Sequence, residues 1–197
     1  MKTKLKHIMK KFVTFITLIA VTALFGQAYA QNYLIEDQSG IGPKVGFYKA
    51  PDADDGTMFI GIQSRTKSKY VGAEFSLEYR GEQSYTTAGG SQLTVRQIPV
   101  TGSFLLFAPL AENFAPYGLA GLGAYYTFYD YDGGFVNPGD DSDVKIGYHV
   151  GLGADIALSE TAAFNIDYRY LYLDGSDNLS DKEFSGNVIS AGLTFYF

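Results

Sequence analysis

Residues 144–158 read VKIGYHVGLGADIAL. Every second position is uncharged and mostly bulky: Ile146, Tyr148, Val150, Leu152, Ala154 and Ile156. The positions between them are small or ionisable: Lys145, Gly147, His149, Gly151, Gly153 and Asp155. A period of two belongs to a β-strand with two unlike faces, because successive side chains leave opposite sides of the pleat. The glycines here and in GLAGLGA (118–124) superficially match a phosphate-binding loop. Such a loop needs a strand before it and a helix after it; here strand alternation continues on both sides, so nucleotide binding is set aside.

The same two-faced pattern recurs on either side. In 70–81, Val71, Ala73, Phe75, Leu77 and Tyr79 oppose Gly72, Glu74, Ser76, Glu78 and Arg80. In 163–173, Phe164, Ile166, Tyr168, Tyr170 and Tyr172 oppose Asn165, Asp167, Arg169 and Leu171. At the end of the chain, Ile189, Ala191, Leu193, Phe195 and Phe197 share one face. Turn-forming Asp, Gly, Asn and Ser clusters separate eight such runs: 44–50, 57–64, 70–81, 93–108, 117–131, 144–158, 163–173 and 184–197. Runs of this kind bounded by such clusters mark an all-β chain. The run at 117–131 fits either phase; Ala120, Leu122, Ala124, Tyr126 and Phe128 are assigned outward, so that Gly121 and Gly123 face in. The first run holds Pro43 at its edge, which suits the start of a strand.

A soluble barrel and a membrane barrel share this alternation with opposite sense. Three features place the apolar face outward, in lipid. The polar faces carry many glycines and few lysines, as a narrow, crowded interior requires. Their charges roughly cancel, Glu74, Glu78, Asp155 and Asp167 against Arg80, Lys145 and Arg169. Tyr and Phe gather near strand ends, as interfacial girdles do. Connections after the second, fourth and sixth runs are short. Those after the first, fifth and seventh are acidic: Asp52, Asp54, Asp55; then Asp130, Asp132, Asp140, Asp141, Asp143; then Asp174, Asp177, Asp181, Glu183. Short turns on one rim and longer loops on the other match an outer-membrane barrel with both termini in the periplasm. Closure leaves no unpaired edge in hydrocarbon. The fold expected is an all-β, eight-stranded antiparallel up-and-down transmembrane β-barrel.

The first thirty residues agree with export. Lys2, Lys4, Lys6, Lys10 and Lys11 precede an uncharged run at 12–25, and Ala28 and Ala30 form an A-x-A cleavage pattern. This is a secretory signal peptide over 1–30, leaving 31–197 as one barrel domain. The leader removes five of fifteen basic residues and none of the twenty-one acids, so the exported part carries a charge of −11. That excludes nucleic acid as a partner, which calls for a basic footprint. With no cysteine in the chain, the domain is held without disulfides.

On APYGLAGLGAYY (115–126), KIGYHVGLGADIAL (145–158), FNIDYRYLYL (164–173) and VISAGLTFYF (188–197), the chain resembles the small eight-stranded outer-membrane barrels, the OmpA-like and opacity-type "porin family" proteins. The resemblance implies location in the outer membrane of a Gram-negative bacterium. It also implies that the last strand is an assembly signal, carried by Ile189, Ala191, Leu193, Phe195 and Phe197 and read by the barrel-assembly machinery.

Eight strands leave an interior that side chains just fill, where unpaired charges are costly. Glu74, Glu78, Arg80, Lys145, Asp155, Asp167 and Arg169 are therefore expected to form a paired network plugging the lumen, with His149 in a buried hydrogen bond or ion pair. No catalytic, metal or cofactor site is expected, since no loop matches a calcium-binding pattern. The leading function is a non-enzymatic, monomeric envelope protein contributing to membrane integrity, with outer-membrane lipids and lipopolysaccharide as its surroundings. The alternatives are a surface adhesin, a narrow channel for small solutes, a lipid-modifying enzyme and a soluble barrel for an apolar ligand.

Overall fold

The structure, a computed structural model, describes residues 34–86, 92–132, 141–173 and 184–197. The proposed leader and the acidic positions Asp140, Asp174, Asp177, Asp181 and Glu183 lie outside the described residues. Eight strands follow in chain order: β1 Gln38–Lys49, β2 Thr57–Lys67, β3 Val71–Thr86, β4 Gln92–Phe107, β5 Phe114–Asp132, β6 Asp141–Ser159, β7 Ala162–Tyr172 and β8 Gly186–Tyr196. Each pairs antiparallel with the next, and β8 returns to β1 to close the barrel.

The alternation read from the sequence sorts side chains by face. Outward positions stay open: Met58 and Ile146 are 72% exposed and Leu152 is 69% exposed. Charged partners on the same strands, such as Glu74, Glu78, Lys145 and Asp155, are buried inside. A water-soluble barrel inverts this arrangement. The ambiguous fifth strand takes the phase with Leu122, Tyr126 and Phe128 outward and Gly123 buried. Aromatic residues cluster near the ends of the outer face: Tyr79, Tyr126, Phe128, Tyr148 and Tyr172 toward one rim, Phe104, Phe164, Phe195 and Phe197 toward the other.

The rim that carries both ends of the sheet is joined by the short turns 68–70, 108–113 and 160–161; the opposite rim carries the turn 50–56 and the far ends of β3 to β8. Strand β1 begins earlier than the sequence suggests, at Gln38, and β2 ends later, at Lys67. Pro43 therefore stands mid-strand rather than at a strand start. It pairs across to Ile62 on β2, while the β1–β8 ladder is interrupted from Gly42 to Pro43 and resumes at Lys44↔Gly192. The ring has no N–H to give that ladder, so the gap falls where the donor is missing.

Glycine opens the interior for neighbouring large groups. A Cβ on Gly153 would sit 2.4 Å from the Tyr117 ring, and one on Gly192 would sit 2.4 Å from the Gln63 amide.

Candidate functional site

Inward positions form three layers along the barrel axis. At the end bearing the termini, Ile35, Leu105, Phe107, Ala115, Tyr117, Leu119, Ala157, Ala163 and Tyr196 make an apolar layer. At the opposite end a second apolar layer includes Tyr48, Phe59, Val95, Tyr125, Leu173 and Phe184. Between them lies a polar layer in which Glu74 is the hub. Its Oε1 accepts from Lys44 Nζ at 2.7 Å and from an Arg169 guanidinium nitrogen at 3.1 Å, and its Oε2 accepts from Arg65 Nε at 2.8 Å. Arg65 continues to Asp155 at 2.9 Å and to the Tyr117 hydroxyl at 2.8 Å. Asp155 also takes Lys67 Nζ at 2.8 Å. Asp167 Oδ1 accepts from Arg169 and from Ser190 Oγ. Register places these groups together, since Arg65 pairs with Glu74 across β2–β3 and Asp167 pairs with Ser190 across β7–β8.

The cations also meet the apolar layers. The Arg80 guanidinium lies 4.4 Å from the Tyr48 ring centroid, and Arg80 pairs with Glu78 at 3.2 Å. Lys145 Nζ stands 4.4 Å from the Phe184 centroid and Lys67 Nζ 4.2 Å from that of Phe107. Cation–π contacts of this kind strengthen when desolvated, to about 2 kcal/mol. Neutral groups also line the interior: Gln63 Nε2 donates to Asn165 Oδ1 at 2.7 Å and to Thr194 Oγ1 at 2.9 Å.

All eight residues proposed from sequence for the lumen are buried on the inward face. The structure brings Glu74, Asp155, Asp167 and Arg169 into one connected group. Glu78 and Arg80 form a separate pair toward the opposite rim, and Lys145 sits against Phe184. Among the described residues His149 joins no ion pair; its Nε2 shares a hydrogen bond with Ser103 Oγ at 2.8 Å. Sequence reading missed Lys44, Arg65 and Lys67, which carry most of the connections. Their inclusion corrects the expectation of balanced charge: among the described residues six cations, Lys44, Arg65, Lys67, Arg80, Lys145 and Arg169, face four carboxylates, Glu74, Glu78, Asp155 and Asp167.

On the last strand, Ile189, Phe195 and Phe197 are exposed on the outer face, with Ala191 and Leu193 half-buried beside them. Asp52, Asp54 and Asp55 are exposed between β1 and β2. No group of three His, Cys, Asp or Glu among the described residues is placed to hold a metal ion.

A closed barrel with hydrocarbon-compatible side chains outside and its charges sealed inside is an integral membrane protein that crosses the bilayer with strands. A family model described as "Outer membrane protein beta-barrel domain" matches residues 16–197. The chain belongs to that family, and its place is an outer membrane.

Solved structures share the fold at low identity. OprG of Pseudomonas aeruginosa aligns with a TM-score of 0.58 at 16% identity, over 86% of this chain and 99% of that one. Neisserial surface protein A gives 0.57 at 16%, over 82% and 98%. Ail, the attachment invasion locus protein of Yersinia pestis, solved in complex with the heparin analogue sucrose octasulfate, gives 0.53 at 16%, over 83% and 100%. No curated protein matches the sequence.

Proposed function

We propose that the protein is a non-enzymatic structural barrel of the outer membrane, contributing to envelope integrity with a lumen that does not conduct. The observation that carries this reading is the filled bore, in which an ion-pair layer is closed between two apolar layers. Apolar layers above and below an ion-pair layer support a bore that water and solute do not cross. The Ser103–His149 pair lies within the bore, away from lipid and from either aqueous side, which supports a role in packing rather than in acyl transfer. The closed sheet has no free edge, which supports a monomer surrounded by phospholipid and lipopolysaccharide. The outward strand ending at Phe197 fits recognition by the barrel-assembly machinery.

Purified protein in a planar bilayer is expected to show no steady single-channel steps; large, stable steps overturn the sealed lumen. A deletion strain is expected to become sensitive to detergent and large antibiotics. Unchanged permeability together with lost surface attachment would replace the structural reading with an adhesive one.

A further inference from the structure

The chain ahead of β1 does not leave the barrel. Asp37 has φ of 54°, the one positive value at a non-glycine position among the described residues. Asp and Asn tolerate this left-handed conformation better than most side chains. The turn it makes sends residues 34–36 back across the rim that carries the termini. Contacts outside the sheet ladder, two of them hydrogen bonds, anchor the returning segment. Ser68 Oγ, in the β2–β3 turn, donates to Asp37 Oδ1 at 2.6 Å. Leu34 N donates to Glu112 O at 2.9 Å. Glu112 lies in the β4–β5 turn, on the far side of an eight-stranded ring from β1, so this short segment crosses the mouth. Between the anchors Ile35 is fully buried in the lower apolar layer, with Leu105, Phe107, Tyr117, Ala163 and Tyr196. Those side chains come from β4, β5, β7 and β8. The Lys67–Asp155 ion pair borders this layer, with Lys67 Nζ over the Phe107 ring.

We propose that Leu34–Asp37 is a strap that seals the periplasmic mouth, and that its release admits water to the lower part of the lumen while the sheet stays closed. The strap adds no strand pairing, so it can open locally without unfolding the barrel, as weakly anchored segments do. The proposal rests on the sealed-lumen reading and adds a movable closure to it.

The chain has no cysteine, so Ala163→Cys, at a position buried in the lower layer, introduces a single thiol. The folded, vesicle-inserted protein is treated with a membrane-impermeant maleimide. With the strap intact, labelling is expected to be slow. Ile35→Gly in the same background is expected to accelerate it at least tenfold with the heat-modifiable folded band retained. Fast labelling with the strap intact, or no acceleration in Ile35→Gly, overturns the strap. Ser68→Ala removes the elbow hydrogen bond outside the lumen and should accelerate labelling severalfold. It decides the question if Ile35→Gly does not fold: an unchanged rate there overturns the proposal. A separate Ser190→Cys probe, in the polar layer, tests the underlying reading. Rapid labelling at Ser190 with slow labelling at Ala163 would show the lumen open from the opposite end, a failure of the sealed lumen and not of the strap.

Discussion

Replacing Glu74 with Gln keeps the shape of the side chain and removes its charge. Three cations now converge on that carboxylate: Lys44 at 2.7 Å, Arg65 at 2.8 Å and Arg169 at 3.1 Å. Glu74 is buried, and so are all three partners. The substitution leaves six buried cations facing three carboxylates. Breaking a buried pair by removing one partner costs roughly 3–5 kcal/mol, because the remaining charge stays desolvated. Gln still offers one acceptor oxygen, which puts the expected loss near the lower end, about 3 kcal/mol. That is about a hundredfold in the folding equilibrium. With a urea dependence of about 1–3 kcal/mol per molar, the midpoint should fall by roughly 1–3 M. The assay is reversible urea unfolding in lipid vesicles, followed by the gel mobility of the folded band. Lys44→Met added to Glu74→Gln should recover part of the loss, since it removes one of the stranded cations, and the double-mutant cycle isolates that coupling. A midpoint for Glu74→Gln within experimental scatter of the parent would refute the reasoning: the hub would then be neutralised by something other than these pairs.

Three further outcomes follow from the same geometry. Leu152→Arg puts a charge on the lipid face near the middle of β6 and should destabilise the vesicle-inserted barrel by about 2–4 kcal/mol; a neutral effect would mean this face does not meet hydrocarbon. Gly153→Ala brings a Cβ within 2.4 Å of the Tyr117 ring and should cost about 1–3 kcal/mol by overpacking, measured in the same urea titration. Deleting Phe197, an exposed terminal ring, should lower the amount of folded protein in the cell severalfold while leaving refolding of the purified chain into detergent nearly unchanged. Equal cellular levels would remove the assembly role.

The barrel was legible because its strands are two-faced throughout, and period two survives insertion into a membrane with only the sense of the faces reversed. The lumen was less legible for a physical reason. An inward strand segment of a narrow barrel looks like a loop when its polar residues are counted without phase. The run read at 57–64 stops short of TKSK, yet Phe59, Gly61, Gln63, Arg65 and Lys67 continue one inward row. Lys44 opens the first run, and its ammonium is a partner of Glu74. Carrying the alternation three residues further, to Lys67, finds both Arg65 and Lys67. Ile35 offered no comparable signal. It belongs to no strand, and its burial depends on a backbone turn at Asp37 and on a contact across the ring, neither of which leaves a periodic trace.

The two apolar layers also bear on how the protein meets its ionic surroundings. Dissolved ions weaken attraction between charges that they can approach, within about 10 Å at 0.1 M salt, and act much less on pairs they cannot reach. The Arg96–Glu82 pair on the outer surface is open to that effect, whereas the Glu74 cluster is shielded above and below. A bacterium passing from fresh to saline water would therefore loosen contacts on the barrel's skin and leave its axis untouched.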